Sequence, residues 1–209
     1  MNLYSLPSLV VSLLVLLLGI VVLYKNKTSS TNKSFFLVCF STYVWHFFAA
    51  ISYNFSSQGY AELFMRICYL GVIFVPITLL HFVTNFLNIN KYRSAVFLLY
   101  ALGLICFLSV LTNNYLISGT YRYFWGYYPK AGIIHPYYLI SVVLIVVCSD
   151  ILLILHYFKL QTTFIRKRQI KYVLIAKIIY NICTIDFVPN YGVGIYAFGY
   201  IPTGIFLAI

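Results

Sequence analysis

Acidic residues are nearly missing from this chain. Glu62, Asp150 and Asp186 are the only ones in 209 residues, and charged residues of both signs together make up 8%. Soluble domains carry about 25% charged residues, so these residues cannot cover a water-facing surface. Disorder is excluded as well, because it requires low hydrophobicity. The five cysteines (Cys39, Cys68, Cys106, Cys148 and Cys183) are widely spaced, each inside an apolar run. No Cys or His spacing has the form of a metal site, so no metal is expected and the thiols read as small buried hydrophobes. His46, His81, His135 and His156 form no HxxxH or HExxH pattern and read as hydrogen-bonded interior or end-of-span histidines. No Gly-rich nucleotide loop occurs, and no cofactor is expected.

Apolar residues, by contrast, make up 63% of the chain and aromatic residues 20%, with a mean hydropathy of +0.94. A spanning helix needs about 20 apolar residues. Seven such segments can be drawn, at about residues 5–24, 35–53, 61–87, 94–111, 133–158, 170–188 and 193–209. The expected fold is an all-α membrane protein, a seven-transmembrane helix bundle forming one domain over residues 1–209. Pro76 lies inside the third span and should kink it. The last segment, at about 17 residues, reaches roughly 25 Å and reads as cut within its helix. The first segment lacks a preceding charge and a cleavage site, so it reads as a span rather than a signal peptide.

The basic residues set the orientation. The breaks after spans one, three and five carry Lys25, Lys27, Lys33, Lys91, Arg93, Lys159, Arg166, Lys167, Arg168 and Lys171. The breaks after spans two, four and six carry only Arg122 and Lys130. Cytoplasmic loops are enriched in Lys and Arg, so the N-terminus is placed outside and the seventh span enters the cytoplasm. The run Arg166–Arg168 also suits anionic headgroups. The charge implies no nucleic-acid partner; the partner is the lipid bilayer.

Ionisable groups within spans are costly and mark candidate sites. Counting inward from the basic loop places Asp150 and Lys177 at similar depths on neighbouring antiparallel spans, which suggests an intramembrane ion pair. The bland alternative is that each is satisfied separately, through Ser149, Asn181 or water, or that Lys177 snorkels. Glu62 and Arg66 are four apart, in the favourable order for a local salt bridge; alternatively Arg66 faces the bundle and holds an anionic ligand group. Between spans four and five, Tyr115, Tyr121, Tyr123, Phe124, Trp125, Tyr127 and Tyr128 crowd a single polar and aromatic loop. An aromatic belt at the interface accounts for some of these rings. A loop of this length can also fold over a ligand, and the candidate binding residues are then Arg66, Arg122, Trp125, Tyr127, Tyr128, Asp186 and Asn190, with Lys130 nearby.

Three stretches carry a family resemblance. The third span reads Gly71-Val-Ile-Phe-Val-Pro76, then His81-Phe82. The loop reads Trp125-Gly-Tyr-Tyr-Pro-Lys-Ala-Gly132, then His135-Pro136-Tyr137. The sixth span opens at Arg168-Gln169-Ile-Lys-Tyr172 and closes at Asp186-Phe-Val-Pro-Asn-Tyr-Gly192, followed by Ile195-Tyr196. Their order and spacing resemble the N-terminal seven-transmembrane sensor region of bacterial histidine kinases. The chain departs from that pattern with Asp186 in place of Asn and Ala197 in place of Pro. The resemblance implies a sensory input module in the bacterial cytoplasmic (inner) membrane. Such a module would relay a small-molecule or membrane stimulus to a cytoplasmic output domain in the same polypeptide, with a homodimer among the expected partners. The output would be a histidine kinase of a two-component system or, alternatively, a cyclic-dinucleotide synthase. No catalytic residue is expected within these residues. A small multi-span transporter or channel is the competing class, though no inverted repeat is visible.

Overall fold

The computed structural model describes residues 2–159 and 163–208. Seven α-helices run through these residues: α1 (Leu6–Lys25), α2 (Ser30–Ser52), α3 (Gln58–Phe86), α4 (Arg93–Thr112), α5 (His135–Phe158), α6 (Phe164–Asn181) and α7 (Tyr200–Ala208). Among the described residues, six helical stretches are long and apolar enough to cross a membrane: Leu3–Lys25, Ser30–Ser52, Gln58–Phe86, Asn90–Thr112, His135–Phe158 and Phe164–Tyr191.

Burial follows the inverse of a soluble pattern. On α1 the buried positions are Ser8, Ser12, Val15 and Gly19, a helical stripe of mostly small side chains, while Val10, Leu13, Leu14, Leu17 and Val21 face outward. Between helices in lipid, close packing replaces hydrophobic collapse, so small residues belong on the inside. α3 is the central helix, packing on α2, α4, α5 and both strands of a hairpin. Pro76 is buried within it. Gly71 allows α2 and α3 to touch backbone to backbone: a Cβ there would lie 2.3 Å from the Trp45 amide nitrogen and 2.4 Å from the Ser41 carbonyl oxygen.

The connection between α4 and α5, expected as a loop, contains a two-stranded antiparallel hairpin, β1 (Ile117–Tyr123) and β2 (Gly126–Ala131). β-branched and aromatic residues favour strands. The two-residue turn at Phe124 and Trp125 closes because Gly126 adopts φ 136°, a conformation only glycine enters at little cost.

The sixth and seventh spans also differ from expectation. α6 stops at Asn181 and continues as a 3-10 helix, Ile182–Tyr191, with Pro189 inside it and Gly192 ending it at φ 87°. Residues 193–198 are not helical, and α7 starts at Tyr200 rather than near Val193. A left-handed Gly192 terminates a helix in the usual way, and Gly194 disfavours an immediate restart. The bundle therefore has a basic end, holding Lys25–Lys33, Lys91–Arg93 and Arg166–Arg168, and a hairpin end, holding the break before α7.

Gly71→Ala should destabilise the purified chain by about 1–3 kcal/mol, the usual cost of forcing atoms into a packed core. Gly59, with open space around its Cα, should accept alanine at no cost. Equal unfolding midpoints for the two variants in detergent would contradict the close α2–α3 contact.

Candidate functional site

At the hairpin end, a group of aromatic and polar side chains closes over the break between α6 and α7. Trp125, at the hairpin tip, is fully buried. Its ring stacks on Tyr123 at 4.4 Å and meets Tyr196 edge-on at 5.7 Å. Its carbonyl accepts from Asn2 Nδ2 at 2.6 Å, so the N-terminal turn also holds the tip. Gly126 is needed here for space as well as for turn geometry, since a Cβ would lie 2.9 Å from Tyr53 Cα.

Beneath the tip, Tyr128 Oη donates to the Asp186 carbonyl at 2.6 Å, and Tyr123 Oη donates to the Pro189 carbonyl at 2.7 Å. The hairpin is thus hydrogen-bonded to the 3-10 helix that follows α6. Burial pushes the Tyr128 hydroxyl well above the ordinary tyrosine value, and the Asp186 charge adds to the shift. It therefore remains a neutral donor at any physiological pH.

The Asp186 carboxylate accepts the Gly199 N–H through Oδ1 at 2.9 Å and Oδ2 at 3.0 Å. Gly199 immediately precedes α7, so the carboxylate caps that helix at the end where its dipole favours negative charge. Neither salt bridge of the described residues involves Asp186. A Cβ at Gly199 would fall 2.3 Å from Asp186 Oδ2, so only glycine permits this cap. α7 is also tied to the rest of the bundle: His46 bridges Ser8 Oγ at 3.2 Å and Thr203 Oγ1 at 3.0 Å, joining α1, α2 and α7.

A second polar cluster lies beside this cap. Asn190 Nδ2 donates to Tyr69 Oη at 2.6 Å and lies 3.1 Å from His135 Nε2, and Tyr69 Oη lies 2.9 Å from the same nitrogen. With two donors directed at it, Nε2 is the acceptor. Nδ1 then carries the proton that points to Tyr191 Oη at 2.8 Å. The Asn190 Oδ1 atom has no partner although it is buried, and neither does Trp125 Nε1. Asp186, Asn190, Tyr128 and Tyr69 line a cavity of about 20 Å³. One ordered water fits such a volume.

The structure brings together Trp125, Tyr128, Asp186 and Asn190 among the residues singled out in the sequence. It separates the others. Tyr127 is buried but reaches the Ser56 carbonyl at 3.3 Å. Arg122 is exposed on the hairpin, its guanidinium 5.7 Å from the Tyr127 ring centre. Arg66 pairs with Glu62 at 2.8 Å and donates to the carbonyls of Val110, Asn113 and Ile117 and to Asn114 Oδ1. Its charge thus serves the C-terminus of α4, where cations are favoured, and leaves no vacancy for an anionic ligand. His135, expected only as a hydrogen-bonded histidine, has that role here, whereas Tyr69, Tyr191 and Gly199 were not among the expected site residues. A tyrosine within an apolar span must satisfy its hydroxyl, and that was the available signal for Tyr69.

Deeper in the bundle, Lys177 Nζ lies 2.7 Å from Asp150 Oδ1, with side-chain exposures of 2% and 20%. Lys177 also donates to the Val146 carbonyl at 3.2 Å, and Asn181 Nδ2 donates to Asp150 Oδ2 at 3.0 Å. The pair and the Asn181 contact therefore coexist, and α5 and α6 are joined by a charged bridge. Asp150→Asn leaves a buried lysine without its counter-charge and should cost about 3 kcal/mol. Lys177→Met in the same background should recover most of that loss, as read by a double-mutant cycle on unfolding; purely additive effects would contradict the pair.

Residues 7–209 match the family described as the N-terminal 7TM region of histidine kinase. No curated protein matches the chain. The match covers nearly the whole of a helical membrane bundle, and the chain belongs to the family of N-terminal seven-transmembrane sensor regions of histidine kinases.

Proposed function

We propose that the hairpin end is the receiving end and lies outside the bacterial cytoplasmic membrane. α7 then carries the response toward a kinase domain in the same polypeptide, and a second copy of the chain supplies the dimer partner. The excess of basic residues at the opposite end supports this orientation. The observation that carries the reading is the Asp186 contact. One residue accepts from Tyr128 of the hairpin through its backbone and from Gly199 at the head of α7 through its side chain. Whatever moves the hairpin therefore moves the residue that caps α7.

A stimulus shifts such a device only if it binds two arrangements with different affinity. The described arrangement is closed, with a cavity no larger than one water. A small-molecule stimulus would then favour an arrangement in which the hairpin has lifted, with Asp186, Asn190 and Tyr128 facing the ligand. Membrane tension or composition would act on the same hairpin through the exposed ring of Phe124 at its turn and that of Tyr115 just before its first strand.

Tyr128→Phe removes one hydrogen bond, typically worth about 1 kcal/mol. It should change the unstimulated autophosphorylation rate of the chain joined to its kinase domain by roughly fivefold. Gly199→Ala, which expels the carboxylate, should change it in the same direction and by more. Arg122→Ala should leave it unchanged. Wild-type rates for both Tyr128→Phe and Gly199→Ala in reconstituted membranes would reject this relay.

A further inference from the structure

At the basic end, α2 and α4 both pack on α3, and a groove of about 410 Å³ remains between them. Its mouth carries Lys33, Asn90 and Arg93; further along the helices it is lined by Leu37 and Val96, by the exposed ring of Phe97 and by the polar side chains of His81 and Thr84 from α3. The order along the two helices is the same. Lys33 precedes Leu37 by four residues, and Arg93 precedes Phe97 by four, so each basic group sits about one turn, or roughly 6 Å, nearer the helix start than its apolar neighbour. Both helices also begin at this mouth, α2 at Ser30 and α4 at Arg93, which adds two positive dipole ends to two cations.

The chain supplies no counter-charge. Glu62 and Asp150 are paired elsewhere and Asp186 caps α7, while neither salt bridge of the described residues involves Lys33 or Arg93. A cleft that is cationic at the membrane surface and one turn deeper carries Leu37, Val96 and the outward-facing Phe97 beside His81 complements an amphiphile with an anionic head. We propose that this groove binds an anionic phospholipid, with its phosphate at Lys33 and Arg93 and the start of an acyl chain along Leu37, Val96 and Phe97. The volume lies within the range of small-ligand sites, and basic pockets between spans are suited to such headgroups. The site is independent of the hairpin and of the relay proposed for it.

The test is native mass spectrometry of the whole chain, released from nanodiscs holding equal phosphatidylglycerol and phosphatidylcholine. The wild type should retain one phosphatidylglycerol, preferred over phosphatidylcholine by about tenfold or more, given roughly fivefold for each basic group near an anionic surface. Lys33→Gln with Arg93→Gln should abolish the preference. Lys27→Gln with Lys159→Gln, which removes equal charge from the same end, should preserve it, and this pair separates a built groove from general attraction. Equal retention of the two lipids, or identical behaviour of the two double variants, would overturn the proposal. Displacement of the lipid by millimolar glycerol phosphate would overturn it as well, because the head alone would then suffice.

Discussion

The structure depends on how it satisfies a break in its backbone. Buried amides and carbonyls away from water must be paired, and in a membrane only helices and closed sheets pair all of them automatically. The chain leaves helical geometry between Tyr191 and Tyr200, and at Gly199 the break is buried. The Asp186 side chain supplies the acceptor that the Gly199 amide would otherwise lack. Part of the cost of burying that carboxylate is offset by the head of α7. Were the acceptor lost, the start of α7 would carry an orphaned amide and nothing in the preceding segment would fix its position.

That requirement explains the composition of the hairpin end. Tyr123 and Tyr128 spend their hydroxyls on carbonyls of the 3-10 helix, and their rings join Trp125, Tyr53 and Tyr69 in one buried cluster with Met65 and Ile73. The hairpin acts as a lid, apolar toward the bundle and hydrogen-bonded along its edge. His46 performs a similar service on the other side of α7, joining it to α1 and α2. Two sets of polar contacts thus fix the start of α7, which also packs on α6 and α1. Contacts at the head of α7 therefore set where that helix begins.

Much of this was legible in the sequence. Long apolar runs separated by basic or turn-rich breaks mark crossings reliably, because the hydrocarbon thickness sets their length. The spacing of Asp150 and Lys177 across one loop was enough to place them at similar depth, where the structure has them 2.7 Å apart. The hairpin was not legible, because β2 has no alternating pattern, with Tyr127 and Tyr128 adjacent and Pro129 inside it, and the register of β1 shifts between Ile117 and Thr120. The break before α7 was hidden by apolar residues that suit a helix and an extended segment equally well. Asp186 and Asn190 were recognisable as polar residues near a helix end. Their partners were not, since Tyr69 and Gly199 are distant in sequence and only the folded chain sets them beside each other. Arg66 was ambiguous between an anchor and a ligand contact; the carbonyls at the end of α4 decide for the anchor.

The Asp186 carboxylate holds the head of α7. Site-resolved amide hydrogen exchange at Gly199, measured in nanodiscs for the wild type and for Asp186→Ala, tests it most directly. Exchange should be slow in the wild type and accelerate at least about tenfold in the variant, the loss of one buried hydrogen bond, while the amides of α2 keep their protection. Equal exchange at Gly199 in the two proteins would show that the helix is positioned by something else.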